Sequence, residues 1–259
     1  MGKHKLENTL EKIKSTGKPL FIPYMMAGDG GIDQINERIH FLEESGASAI
    51  ELGIPFSDPV ADGPVIQDAG QRALANGTTL KIVLEEVRKQ KDSRNIPIIL
   101  MTYINPIWNY GYEQFAKDCD AAGVDGIIIP DIPMEEEEEI AAQLSASGIA
   151  FIRLAAMTSP DERLEKIAQT SEGFLYAVSV NGTTGERTQH EERTLNYLKK
   201  LTKRSKVPVL AGFGISNPEQ AKSLAAYCDG VIVGSKIVDF FHQGNREEIK
   251  NLIGNTIHS

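Results

Sequence analysis

Apolar residues along this chain come in short, near-continuous runs, and between the runs they recur at helical spacing. The runs occupy residues 20–26, 49–53, 96–103, 126–130, 150–155, 174–180, 207–213 and 230–234. Strands covered on both faces read this way, without polar alternation, and β-branched Ile and Val dominate several of them. Between the runs, residues 33–45 carry Ile35, Ile39 and Leu42 on one helical face, and Gly46 can end that helix. Residues 79–91 repeat the pattern with Ile82, Val83, Leu84 and Val87, as do stretches 113–122, 135–147, 160–169, 193–204 and 218–227. Ser159-Pro160-Asp161-Glu162 and Asn217-Pro218-Glu219 are cap-then-proline helix starts. A further helix over residues 5–15 precedes the first run.

Eight alternating strand and helix units predict a (β/α)8 barrel of the TIM type with an extra N-terminal helix. No composition shift or low-complexity linker interrupts the chain, so residues 1–259 are expected to form one domain. The length of 259 residues suits such a barrel, which typically needs about 250. An open doubly wound sheet is the competing arrangement, because periodicity does not report closure.

Composition changes this picture little. A net charge of -9 argues against phosphate-backbone binding as the main task. The acidic run 135–139 suits the positive end of a helix and reads as a solvated first turn. Cys119 and Cys228 lack metal-ligand spacing and read as structural thiols. No run reaches membrane-spanning length, no apolar leader core follows Met1, and Leu6 breaks the myristoylation pattern. A cytoplasmic location is expected.

In a barrel, chemistry sits where strands end and loops begin. The second run leads directly into Glu51-Leu52-Gly53-Ile54-Pro55-Phe56-Ser57-Asp58-Pro59-Val60-Ala61-Asp62-Gly63-Pro64, a loop stiffened by proline. Glu51 follows Ala49-Ile50 and is expected to be at least partly buried, which raises a carboxyl pKa and suits proton transfer near neutral pH. A capping or salt-bridged acid is the plainer reading. Asp58 and Asp62 lie on the loop, although Asp58-Pro59 and Asp62-Gly63 are also common turn pairs.

After the seventh run comes Gly212-Phe213-Gly214-Ile215, and after the eighth Val233-Gly234-Ser235. Glycine lets backbone approach an anion, and free amides at a helix start donate to it, so these two turns predict a phosphate site. The polar loop 181–190 after the sixth run reads as a lid. Tyr24, Tyr103, Tyr176, Asn105 and Asp131 all fall at or near strand ends. Lys236 follows the phosphate turn, and its place inside the last helix favours a solvated lysine over a Schiff base. None of the five histidines has a metal-ligand pattern.

The motif from Glu51 to Pro64, with Pro130-Asp131-Ile132-Pro133, Gly182-Thr183-Thr184-Gly185, Gly212-Phe213-Gly214-Ile215 and Val233-Gly234-Ser235, resembles the tryptophan synthase alpha chain family over nearly the whole length. The resemblance implies a lyase of L-tryptophan biosynthesis. It would cleave indole-3-glycerol phosphate by a retro-aldol step to indole and glyceraldehyde 3-phosphate. It implies Glu51 as the proton carrier and Asp62 as acceptor of the indole N–H. Phe21 and Tyr103 would border the indole, Tyr176 would be a pocket tyrosine, and Thr184 would help the lid close on the loop of Asp62. The amides of Gly185, Gly214, Gly234 and Ser235 would hold the phosphate. No cofactor or metal is implied in this chain. A beta-chain partner carrying pyridoxal phosphate is implied, in an α2β2 assembly.

One departure concerns Val180 and Thr183, where some members of the family carry Arg and Val. Two other functions compete. One is another phosphate-binding barrel isomerase; the other is a non-catalytic subunit that activates a partner. Release of free indole separates the lyase from both.

Overall fold

The computed structural model describes residues 2–178, 187–212 and 214–258, and for residues 187–191 it describes the backbone alone. Eight strands form: β1 Leu20–Met26, β2 Ile50–Gly53, β3 Ile98–Met101, β4 Gly126–Ile128, β5 Ala150–Ala156, β6 Leu175–Val178, β7 Val209–Gly212 and β8 Gly230–Val233. Every neighbouring pair is parallel, and β1 closes on β8, so the sheet is a complete barrel in sequence order. The open-sheet arrangement is thereby excluded.

Around the sheet run α1 Lys3–Lys14, α2 Gln34–Glu44, α3 Pro64–Ala75, α4 Leu80–Arg88, α5 Ile104–Tyr110, α6 Tyr112–Ala122, α7 Glu138–Ala146, α8 Asp161–Thr170, α9 Arg187–Arg204, α10 Pro218–Ala225, α11 Ser235–Gln243 and α12 Arg246–Ile257. All eight expected strands are present. Three helices go beyond the periodicity reading: α3, α5 and the separate α12. The helix expected from residue 135 begins at Glu138 instead. Arg153 binds Glu137 at 2.8 Å and Arg163 binds Glu135 at 2.7 Å, so part of that acidic run is paired rather than simply solvated.

Side chains alternate between the two faces of each strand. Leu20, Ile22, Ala49, Ile99, Ile128, Ala150, Ile152, Phe174, Leu210 and Ile232 pack together inside the barrel. The interleaved Phe21, Ile50, Leu52, Ile98, Leu100, Ile127 and Val231 belong to a different cluster, which faces the helices. Leu6 and Leu10 of α1 join the inner cluster and plug the end where the strands begin.

Asp125 fastens that plug. It is 1% exposed. One carboxylate oxygen accepts the Gly2 amide at 3.1 Å and the other the Ile98 amide at 3.0 Å, with Lys5 Nζ 3.6 Å away. Burial pushes its pKa up, and Lys5 and these amides oppose the rise. Among the described residues no helix is long and apolar enough to cross a membrane.

Asp125→Ala leaves two buried amides without acceptors, each costing about 1–3 kcal/mol. We expect a loss of stability on the order of 3 kcal/mol in urea unfolding, with catalysis at the opposite end unchanged while the protein is folded. A shift below about 0.5 kcal/mol, the scatter of neutral surface changes, would discount this anchor.

Candidate active site

Period-two alternation carries Glu51 into the barrel. Ala49 lies on the inner face, and Glu51, two residues on, shares it; Ile50 and Leu52 face the helices. Glu51 is 0% exposed. Neither carboxyl oxygen has a hydrogen-bond partner among the described residues. Burial, followed by the proximity of Asp62, raises its pKa from 4.5 to about 8. The side chain therefore carries a proton at neutral pH, because an unpaired charge in this apolar setting is too costly.

Asp62 lies half-buried on the β2–α3 connection. The Tyr103 hydroxyl donates to its Oδ2 at 3.0 Å and accepts the Ala61 amide at 3.1 Å. Burial raises the Asp62 pKa, and the hydrogen bond from Tyr103 lowers it. Phe56 packs on the Tyr103 ring with centroids 5.3 Å apart. Asp58 does not join this group. It is exposed and accepts a hydrogen bond from Ser57 at 2.5 Å.

Two tyrosines complete the inner surface, each resting on a glycine. Tyr24 pairs in register with Glu51 across β1 and β2. A Cβ on Gly53 would lie 2.0 Å from the Tyr24 hydroxyl. Tyr176 on β6 crosses Gly212 of β7, where a Cβ would meet its ring at 2.3 Å. Burial pushes both phenol pKa values well up, and the charges of Glu51 and Asp62 add to it.

The expectation for Phe21 is corrected. Phe21 is fully buried near the start of β1 in the helix-facing cluster, where it cannot border a ligand at the opposite end. Tyr24 shares the inner face with Leu20 and Ile22 and stands in register beside Glu51. Parity along β1 puts Phe21 and Tyr24 on opposite faces, and the closed barrel decides which face is inner. Met101 likewise reaches the inner clusters near the rim and lacked any motif to mark it.

The glycine turns are open. Gly234 caps α11 without any side-chain hydrogen bond. Among the described residues, the atom nearest a Cβ there would be Tyr24 Cβ at 3.7 Å. Gly214 adopts a left-handed φ of +64°, with no described residue within 4 Å of its Cβ position. Gly214 and Ser235 are exposed. Free amides at a helix start such as that of α11 suit an anion. Lys236 ion-pairs with Asp239 at 3.7 Å and lies over the Phe240 ring, in keeping with a lysine held on the helix surface. Asn105 sits exposed on α5, hydrogen-bonded by Asn109.

Thr184 and Gly185, with Val180, Thr183 and Phe213, lie outside the described residues. Of the expected lid 181–190, the described part, 187–190, is the start of α9.

The arrangement therefore brings together a neutral, enclosed carboxylic acid, a second acid held by a phenol, and glycine turns after the seventh and eighth strands. The family model for tryptophan synthase alpha chain matches residues 10–258. The tryptophan synthase alpha chain of Oceanobacillus iheyensis is 66% identical over 257 residues, covering 99% of this chain and 98% of the relative. That of Bacillus cereus is 51% identical, covering 94% and 96%. The crystal structure of tryptophan synthase subunit alpha from Legionella pneumophila superposes with a TM-score of 0.87 at 37% identity, over 97% and 96% of the two chains. Carrying the Glu51 to Pro64 motif on a closed eight-stranded barrel, this chain belongs to the tryptophan synthase alpha chain family.

Proposed function

We propose that the chain cleaves indole-3-glycerol phosphate into indole and glyceraldehyde 3-phosphate, with Glu51 moving the proton and Asp62 holding the indole nitrogen. The observation that carries this reading is the fully buried, unpartnered carboxyl of Glu51 on the inner face of the barrel, near Asp62.

Indole is a poor carbanion leaving group, so its C3 must be protonated before the C–C bond breaks. Neutral Glu51 gives its proton to C3. The positive charge that develops on the ring nitrogen is met by the carboxylate of Asp62, which accepts the N–H. Glu51, now a carboxylate, takes the proton from the adjacent glycerol hydroxyl. The electron pair of the C–C bond returns to the indole ring, the carbinol carbon becomes an aldehyde, and Glu51 regains its neutral form. A raised pKa suits a group that must give and then accept a proton.

Tyr24, Tyr103 and Tyr176 form the aromatic walls in this reading. The amides of Gly214, Gly234 and Ser235 bind the phosphate, with Gly185 and Thr184 contributing from the loop after β6. All proton transfers run through Glu51, and no step calls on a cofactor or metal in this chain. As an alpha subunit the chain works with a beta chain, which we propose holds pyridoxal phosphate and forms an α2β2 complex with it. Val60, on the β2–α3 connection, and Trp108, on α5, are 82% and 67% exposed and support docking at that end. A cytoplasmic location follows from this pathway role, and the free Cys119 and Cys228 fit a reducing compartment.

Glu51→Gln should abolish indole release from indole-3-glycerol phosphate while the beta chain still binds. Cleavage within about tenfold of the native rate, less than the usual share of acid–base catalysis, would remove Glu51 from this role. The same variant tests the burial of the proton. With the folded pKa above its unfolded value, the native fold is favoured at low pH, and this advantage disappears as pH rises through about 8. Glu51→Gln should therefore gain stability relative to the native chain between pH 5.5 and pH 9, by on the order of a few kcal/mol. Equal denaturation midpoints at both pH values would show that the carboxyl is not buried neutral.

Asp62→Asn should reduce kcat by about 10² or more, the scale of one preorganised electrostatic contact. An unchanged rate would take Asp62 out of the reaction. Gly234→Val fills the space before α11. Calorimetry should show binding of glycerol 3-phosphate weakened by about tenfold or more, the scale of a lost charge-assisted contact, with free indole little affected. Equal weakening of both ligands would contradict the phosphate assignment.

A further inference from the structure

We infer that Tyr103 is the positioning residue for Asp62, and that Asp131 sets the backbone that aims it. This inference rests on the assignment of Asp62 to the indole nitrogen.

Tyr103 is 3% exposed and forms the N-cap residue of α5, immediately after β3. Its hydroxyl has two contacts of opposite sense. It accepts the Ala61 amide at 3.1 Å and donates to Asp62 Oδ2 at 3.0 Å. The amide occupies a lone pair of the phenol oxygen, so the phenol proton is directed at the carboxylate. Ala61 and Asp62 are neighbours on one loop, and the phenol therefore pins both the backbone and the side chain of that loop. Phe56, from the same loop, packs on the face of the ring. Three contacts from one connection meet one tyrosine on another.

The donation to Oδ2 also divides the carboxylate. Oδ1 of Asp62 has no hydrogen bond from a described residue, which leaves that oxygen for the indole N–H. A carboxylate free to rotate could present either oxygen; this one is held with a defined oxygen toward the pocket.

Tyr103 itself needs a fixed backbone. The next amide, Ile104, donates to Asp131 Oδ1 at 2.9 Å, and the Thr102 amide donates to the Ile128 carbonyl at 3.1 Å. The β4–α7 connection thus holds the β3–α5 connection, which holds the β2–α3 connection. Asp131 touches neither Glu51 nor Asp62 in any contact described; it acts through Tyr103.

The titratable groups that face Asp62 are Glu51 from β2, Tyr103 from the β3 end, Tyr24 from β1 and Tyr176 from β6. Asp131 lies close enough to raise the Tyr103 phenol further. Loss of the phenol donor removes the interaction that favours ionised Asp62, so Asp62 then needs a higher pH to ionise.

The test is steady-state cleavage of indole-3-glycerol phosphate by the full chain together with its beta chain, across the acid limb of the pH profile. Tyr103→Phe keeps the ring and the Phe56 contact. We expect kcat to fall by about tenfold to a hundredfold, the range for a lost hydrogen bond to a charged group. KM should change less than kcat, and the acid limb of kcat should move to higher pH. Adding Tyr103→Phe to Asp62→Asn should cost little more, because both remove one interaction. Asp131→Ala should mimic Tyr103→Phe in part, and Asp131→Asn, which retains an amide acceptor, should restore most of the rate. An unshifted acid limb with native kcat in Tyr103→Phe overturns the inference, as do additive losses in the double variant. If Asp62→Asn cleaves at the native rate, the fault lies instead in the assignment of Asp62. If Asp62→Asn is inactive while Tyr103→Phe is native, the positioning role alone is wrong.

Discussion

A carboxyl group enclosed by an apolar barrel without a hydrogen-bond partner is the constraint on which the rest of this site depends. Glu51 has no exposure and no partner among the described residues, and its pKa stands at about 8. Ionising it there would leave a charge without compensation. The protein therefore keeps a proton on this enclosed side chain and treats the second acid, Asp62, differently. That second carboxylate is half-buried and receives the hydrogen bond that Glu51 lacks. Burial raises the pKa of both acids, and only at Asp62 does a hydrogen bond oppose the rise.

The glycines at the rim serve opposite ends. At Gly53 and Gly212 a Cβ would strike Tyr24 and Tyr176, so the missing side chain is filled by a phenol from the neighbouring strand. At Gly214 and Gly234 a Cβ would meet open space or an ordinary contact. One residue type thus makes room for a phenol at two positions and meets no close described neighbour at two others.

The two ends of the barrel divide stability from chemistry. At the start of the strands, Leu6 and Leu10 close the core and Asp125 fastens α1 through buried amides. At the far end the carboxyls of Glu51 and Asp62, the tyrosines and the open turns gather on connections held to one another by Tyr103 and Asp131. Asp125 and Asp131 lie six positions apart along one short segment, Asp125 accepting two backbone amides and Asp131 one, yet they brace opposite ends.

Read along the chain alone, the strands of the barrel stood out because each is covered on both faces and so is apolar throughout. The motif around Glu51 and Asp62 was equally legible, since proline, glycine and acid recur there within fourteen residues. The helix α3 was not, because Gly63-Pro64 reads as a turn until the proline is seen at the first helical position. The same uniformity that revealed β1 also hid which of its residues point inward. A run apolar at every position has no alternation to mark the pocket side, so Phe21 and Tyr24 were separable only once closure had assigned the two faces. Closure likewise brought Tyr103 onto Asp62 across 41 positions. Local patterning carries the choice of element because it acts through neighbouring residues, whereas a hydrogen bond between distant loops exists only after the sheet has curved back on itself.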